Sequence, residues 1–169
     1  MRLFIAIPLS HRVRSELAGV QLQMKKQGYQ GNFTRKENLH MTLAFLGERE
    51  DVDEIAEVMR SVPIPEIRLD FTKIGSFGNI LWVGMRDNEV LDRYVQDLRE
   101  ALTAHHIDYD PKPFKSHVTL SRKTSCPKDN SIQLPHISMT VERIVLMSSE
   151  RDDAGKLVYR EVKDHQRSY

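Results

Sequence analysis

Cysteine is almost absent: Cys126 stands alone among 169 residues. No internal disulfide can form, and a reducing, cytoplasmic setting is expected. A charge excess is also missing, with 25 Lys and Arg against 24 Asp and Glu. Broad affinity for long nucleic acid is thereby excluded, and any such contact should be local, at an end or a single phosphate. No apolar run approaches a membrane span, so no membrane role is expected. The opening M-R-L-F-I-A-I-P-L-S-H-R has only a short apolar run, followed by a charged helical pattern instead of a small-residue cleavage site. It reads as a buried first strand. The length suits one domain over 1–169, or two small lobes sharing a cleft, with ample residues for a core.

Against these absences stands one repeated tetrad. His40-Met41-Thr42-Leu43 reappears as His117-Val118-Thr119-Leu120. A histidine–apolar–threonine–leucine run is expected by accident only ~0.01 times in a chain of this length. Side chains alternate faces along a strand, so each His and Thr share one face while the apolar pair enters a core. The reverse arrangement would leave both apolar residues in water.

The remaining pattern supplies a frame. Residues 3–7 are continuously apolar, as in a strand covered on both faces. Ser10 caps a helix ending near Gly28, with Val13, Leu17, Val20 and Met24 at helical spacing. A polar loop over 31–38 leads to the first tetrad strand, 39–46. An acidic start opens a second helix on Val52, Ile55 and Met59, stopped by Pro63 and Pro65. Strands at 67–74 and 80–85 flank the turn G-S-F-G-N. Leu91, Tyr94, Val95, Leu98 and Leu102 give the clearest amphipathic helix, capped by Asn88. The second tetrad strand, 116–121, precedes a polar loop from Lys123 to Ser131. Strands at 140–147 and 157–162 close the chain.

A shift of 77 residues lays His40 on His117 and Thr42 on Thr119. It also lays the strand at Leu3 on that at Ile80, Ile67 and Leu69 on Ile144 and Leu146, and Trp82 on Tyr159. Order of this kind implies a pseudo-twofold molecule presenting two His/Thr pairs to one cleft.

Two facing imidazoles suit proton transfer, one ring accepting while the other donates. Threonine hydroxyls can hold the non-bridging oxygens of a phosphate. In-line displacement at phosphorus needs a base on one side and an acid on the other, which a twofold arrangement supplies. Neither tetrad has a nearby carboxylate or second histidine at ligand spacing, so no metal or cofactor is expected.

These residues resemble a known family, the two-histidine phosphoesterases, and within it the LigT-like RNA 2′,3′-cyclic phosphodiesterases. The likeness runs through M-R-L-F-I-A-I, E-N-L-H-M-T-L-A-F-L-G, K-P-F-K-S-H-V-T-L-S-R and an ending with Ser149, Gly155 and Tyr159. It implies an α+β fold of two pseudo-symmetric lobes, each an antiparallel sheet with helices on its outer face. It implies metal-independent opening of a terminal 2′,3′-cyclic phosphate to a 2′-phosphate, on RNA ends or small cyclic nucleotides; a monomer is expected. By the same resemblance His40 is the donor to the departing 3′ oxygen, His117 the base that activates water, and Thr42, Thr119 and Arg122 the phosphate ligands. Two departures are visible. Ser116 stands where the family often has proline, and Phe33-Thr34 replaces a Trp-Val pair.

Other residues carry less. Arg122 lies five positions past His117, opposite in parity to the catalytic face unless a bulge turns it. Lys115 reads as a surface lysine, Phe45 and Trp82 as core. Cys126 sits in a featureless loop, unsuited to a cysteine hydrolase. His105 and His106 suit a helix end, while His11, His136 and His165 read as surface positions. Two alternatives stay open: making or breaking 2′–5′ linkages in the same cleft, and a non-catalytic module binding RNA ends or nucleotides.

Overall fold

The computed structural model describes residues 1–128 and 131–168. Asp129 and Asn130 of the polar loop, and Tyr169, lie outside the described residues. In order, the elements are β1 Arg2–Pro8, α1 His11–Lys26, β2 Gln30–Phe33, a 3₁₀ turn Lys36–Asn38, β3 His40–Glu48 and α2 Val52–Arg60. The second half adds β4 Arg68–Phe77, β5 Ile80–Met85, α3 Glu89–Ala104, β6 His117–Ser125, β7 Ile137–Thr140, β8 Arg143–Arg151 and β9 Leu157–Gln166. All strand pairs are antiparallel, in two sheets ordered β3-β1-β8-β9 and β2-β6-β5-β4-β7. This is the α+β, two-lobed fold that the resemblance implies.

The helix starts follow from their caps. The Ser10 hydroxyl accepts from the Val13 amide at 3.2 Å and the Asn88 side chain from the Leu91 amide at 3.0 Å, each satisfying an otherwise unpaired first-turn N–H. On β1, alternate residues serve two cores. Leu3, Ile5 and Ile7 join the main core under the helices, while Phe4 and Ala6 join Val145 and Met147 on the other face, with Tyr159 packed against them. That double burial explains the unbroken apolar run.

Each lobe draws on both halves of the chain. The first sheet takes β3 and β1 from the first half and β8 and β9 from the second. Helices exchange as well. The α1 residue Arg12 donates to Ser138 O in β7 at 2.6 Å, whereas α2 and α3 lie on the first sheet, where Arg60 donates to Asp164 O and Arg99 to Leu43 O.

The 77-residue shift holds for the two tetrad strands, while β1 and β5 are equivalent at an offset of 76, one residue short of the expected alignment. Ala6 lies opposite Thr42 as Trp82 lies opposite Thr119. Beyond that, β8 sits beside β1 as β4 sits beside β5, but Val145 faces Ala6 where Gly75 faces Trp82. The offset there is 70 residues, so Ile144 and Leu146 do not stand in the places of Ile67 and Leu69. Element boundaries also differ from expectation: β6 runs on to Ser125, into the stretch read as a polar loop, and β4 to Phe77, into the stretch read as a turn. Residues 30–33 form an edge strand on β6 instead of a loop, a short 3₁₀ turn follows at Lys36–Asn38, and the apolar segment around Thr140 divides into β7 and β8 in different sheets.

The Trp82 ring requires two glycines. A Cβ on Gly75 would lie 2.4 Å from the indole, and one on Gly84 2.8 Å from it. Gly75→Ala should therefore destabilise the fold by about 1–3 kcal/mol through overpacking. It should also shift the emission of the chain's single tryptophan, with urea unfolding and fluorescence as the measurements.

Candidate active site

His40 opens β3 and His117 opens β6, each half-buried, each followed by a fully buried apolar residue and a half-buried threonine. The alternation read from the tetrads is thus present in both strands. The two rings also share an anchoring pattern. His40 Nδ1 lies 2.6 Å from Asn38 O, and His117 Nδ1 lies 2.6 Å from Lys115 O. A carbonyl only accepts, so Nδ1 carries the proton in both rings and Nε2 is the atom left for chemistry. Asn38 is itself buried and donates to Leu157 O in β9 at 3.2 Å, which fixes the turn that orients His40.

The Nε2 atoms differ. That of His40 lies 2.8 Å from Thr42 Oγ1, and in the neutral ring the hydroxyl donates to it. That of His117 has no hydrogen-bond partner among the described residues. Burial pushes the His40 pKa below its ordinary value, the Asn38 carbonyl opposes that shift, and the charges of Arg122 and His117 add to the depression. Residues from two sheets therefore act on one another electrostatically.

Arg122 reaches this face because β6 contains a bulge. Leu81 pairs with Ser121 and Trp82 with Thr119, leaving Leu120 as the extra residue. Leu120 and Ser121 are consecutively buried, the alternation is rephased, and Arg122 is exposed. Its charge acts on Tyr159 as well as on His40. β3 carries the same device: Ile5 pairs with Ala44 and Ala6 with Thr42, leaving Leu43 extra. Phe45 then occupies the place equivalent to Arg122.

Phe45 is 53% exposed, which corrects its reading as core. Its centroid lies 6.1 Å from that of Phe4, which in turn lies 5.0 Å from the His40 ring. Trp82 is likewise not simple core. It is half-buried, edge-on to His117 at 6.3 Å, with Phe77 also edge-on to His117 at 5.3 Å. Its Nε1 is buried without a partner among the described residues. Tyr159 packs edge-on to His40 at 5.0 Å, and burial raises its phenol pKa. Trp82 and Tyr159, paired by the repeat, sit on non-equivalent strands yet each flanks the histidine of its own sheet. Sequence reasoning did not single out Asn38, Phe4 or Phe77, because their approach to the rings comes from long-range pairing and the hairpin turn.

Of the other candidates, Lys115 borders the site through its carbonyl and the rest lie apart. Lys115 is exposed, its ammonium 5.5 Å from the centroid of Phe77. His105 Nδ1 lies 2.9 Å from Ala101 O at the end of α3, the expected helix-end role. Cys126, His11 and His136 are exposed, whereas His165 is half-buried with Nε2 3.1 Å from Val62 O, not a free surface group. Phe33 packs against the core beneath Lys25. Among the described residues no three His, Cys, Asp or Glu are grouped to hold a metal ion. Among them no helix is long and apolar enough to cross a membrane.

Sulfate offers a direct check on the depressed imidazole, because it is fully ionised and adds no titration of its own. Nitrogen NMR should show His40 titrating below the ordinary imidazole range in the free protein. Saturating sulfate should move it upward, since an adjacent anion favours the cation. A value unchanged by sulfate would place the ring away from any anion site.

Comparison with known proteins gives the family and the fold. The profile of the 2′-5′ RNA ligase superfamily matches residues 11–153. The chain is 28% identical over 171 residues to an RNA 2′,3′-cyclic phosphodiesterase of Thermotoga maritima, covering 93% of this chain and 91% of that one. It is 30% identical over 128 residues to the protein of that name from Methanocaldococcus jannaschii, covering 72% and 71%. The crystal structure of E. coli LigT with 3′-AMP superposes with a TM-score of 0.81 at 24% identity, covering 99% of this chain and 98% of that one. The chain belongs to the 2′-5′ RNA ligase superfamily, and is an enzyme of the two-histidine phosphoesterase class.

Proposed function

We propose that the protein hydrolyses terminal 2′,3′-cyclic phosphates of RNA or nucleotides to 2′-phosphomonoesters, without a metal ion. The observation that carries this reading is the pairing of two Nδ1-anchored histidines, one from each sheet, with Arg122 and His117 both acting on His40. Water attacks phosphorus opposite O3′. His117 Nε2 takes its proton as the P–O3′ bond breaks, and His40 Nε2 delivers a proton to O3′. Thr42, Thr119 and Arg122 bind the non-bridging oxygens, where charge accumulates. Burial favours the neutral form of His40, so the incoming phosphate anion supplies the field that lets it hold the proton it must donate. Phe45, exposed beside Phe4 on the same face, offers a ring on which the terminal base can stack.

The relatives' name for their activity supports the hydrolytic reading, and the superfamily's description supports a second one, making or breaking a 2′–5′ linkage with the same groups. Work as a cytoplasmic monomer belongs to the same proposal. The decisive experiment is product analysis with a cyclic-ended oligonucleotide in excess chelator. A 2′-monophosphate end is expected. A 3′-monophosphate, or turnover abolished by the chelator, would overturn the mechanism, and binding without turnover would favour a recognition module.

A further inference from the structure

The carbonyl of each bulge's extra residue accepts from a side chain on a helix of the opposite half. Gln21 Nε2 on α1 donates to Leu120 O at 3.0 Å and to Thr34 O at 2.8 Å. Arg99 on α3 donates through Nε and Nη2 to Leu43 O at 3.2 and 2.9 Å, and through Nη1 to Lys112 O at 2.9 Å. Leu120 and Leu43 are the extra residues of the two bulges.

We infer that Gln21 and Arg99 are positioning residues, which hold the bulges that turn Arg122 and Phe45 onto the face of the two histidines. A bulge interrupts the ladder and leaves its extra residue unpaired, so it persists only where those groups find other partners. The two braces match what each carbonyl lacks. Leu120 O already accepts from the Thr34 amide at 2.9 Å, and one further donor from glutamine completes it. Leu43 O lies on the free edge of β3, where the guanidinium fork supplies two donors at once. Gln21 is buried in α1 among apolar neighbours, a costly place for an amide unless its N–H groups are used, and both are.

The consequence for the reaction follows from parity. Side chains alternate along β6, so without the extra residue at Leu120 the guanidinium would face the core side and Ser121 the cleft. Gln21 therefore acts on phosphate through Arg122, and Arg99 acts on the base through Phe45. The crossing matters too: α1 of the first half sets the cation of the second-half motif, and α3 of the second half sets the aromatic of the first-half motif.

This inference rests on the phosphodiesterase reading, and double-mutant cycles separate the two. Gln21→Met, with the isosteric Gln21→Glu as the harsher form because a carboxylate cannot donate to either carbonyl, should lower kcat/KM on a 2′,3′-cyclic nucleotide by about 10-fold, and by less than about 2-fold once Arg122→Met is present. Arg99→Met should raise KM by about 5-fold with kcat kept, an effect absent in Phe45→Ala and partly restored by Arg99→Lys. The crossed pairs, Gln21 with Phe45 and Arg99 with Arg122, should multiply. If Gln21→Met retains its full effect in Arg122→Met, or if neither Gln21 form folds, the brace is structural only and the inference falls. If the wild-type protein turns over no cyclic nucleotide, the functional reading fails instead. Sulfate binding then still decides the positioning claim. The Arg122 Nε–H resonance should shift on sulfate addition in the wild type and stay unmoved in Gln21→Met; equal shifts would overturn it.

Discussion

Replacing His40 or His117 by alanine is expected to lower kcat/KM on a 2′,3′-cyclic nucleotide by about 10²–10⁴-fold each. The double variant should fall little below the worse single one, because an acid and a base acting in one displacement fail together. Local packing differs between the two sites, which gives the experiment a control. His40→Ala frees the Asn38 carbonyl and the Thr42 hydroxyl, whereas His117→Ala removes a ring packed edge-on against Phe77 and Trp82. Urea unfolding of both variants separates lost chemistry from lost fold. Losses under about 10-fold, or a double variant that multiplies the singles, would contradict paired imidazole action.

Arg122→Met should lower kcat/KM by about 10²–10³-fold, as expected when a donor to the developing charge is removed. Lysine should restore little of this, since a single ammonium cannot present the two parallel N–H groups of a guanidinium. A second readout follows with a definite sign. The Arg122 charge helps to hold the His40 pKa down, so in Arg122→Met the His40 ring should titrate higher than in the wild type. Nitrogen NMR on the two proteins measures it, and an unmoved His40 would show that the guanidinium does not reach that ring. Unfolding would raise His40 too, so urea unfolding of the variant is measured beside it to keep the two apart.

The tetrads were legible because two physical constraints coincide there. A period of two puts histidine with threonine, and buried Met41, Leu43, Val118 and Leu120 fix which face they take. Helix caps at Ser10 and Asn88 and the apolar stripe from Leu91 to Leu102 were legible for equally local reasons. Departures arise where a local rule meets a distant partner. Counting from His40 places Phe45 on the core side, yet the extra residue at Leu43 reverses the count, and no turn residue marks it. Gln30–Phe33 has no alternation to reveal it as a strand; its pairing comes from β6, with Gly31 allowing the backbone to pass close to Ser121 Oγ. Only Glu142 and Arg143 interrupt the apolar pattern around Thr140 where the chain moves from one sheet to the other, too short a break to mark two strands by pattern alone.

The mingling of the two halves has a consequence for how the chain is made. The first 85 residues contain β1 and β3 of one sheet and β2, β4 and β5 of the other, but neither β6, which carries the second histidine, nor β8, which separates β1 from β9. A nascent chain of that length holds exposed edges of both lobes and completes neither. Closure of the first lobe waits for Leu157–Gln166 to emerge. The second sheet, by contrast, has all five of its strands once Thr140 is made, so the His117 surface is complete in sequence before the His40 surface, whose sheet still waits for β8 and β9.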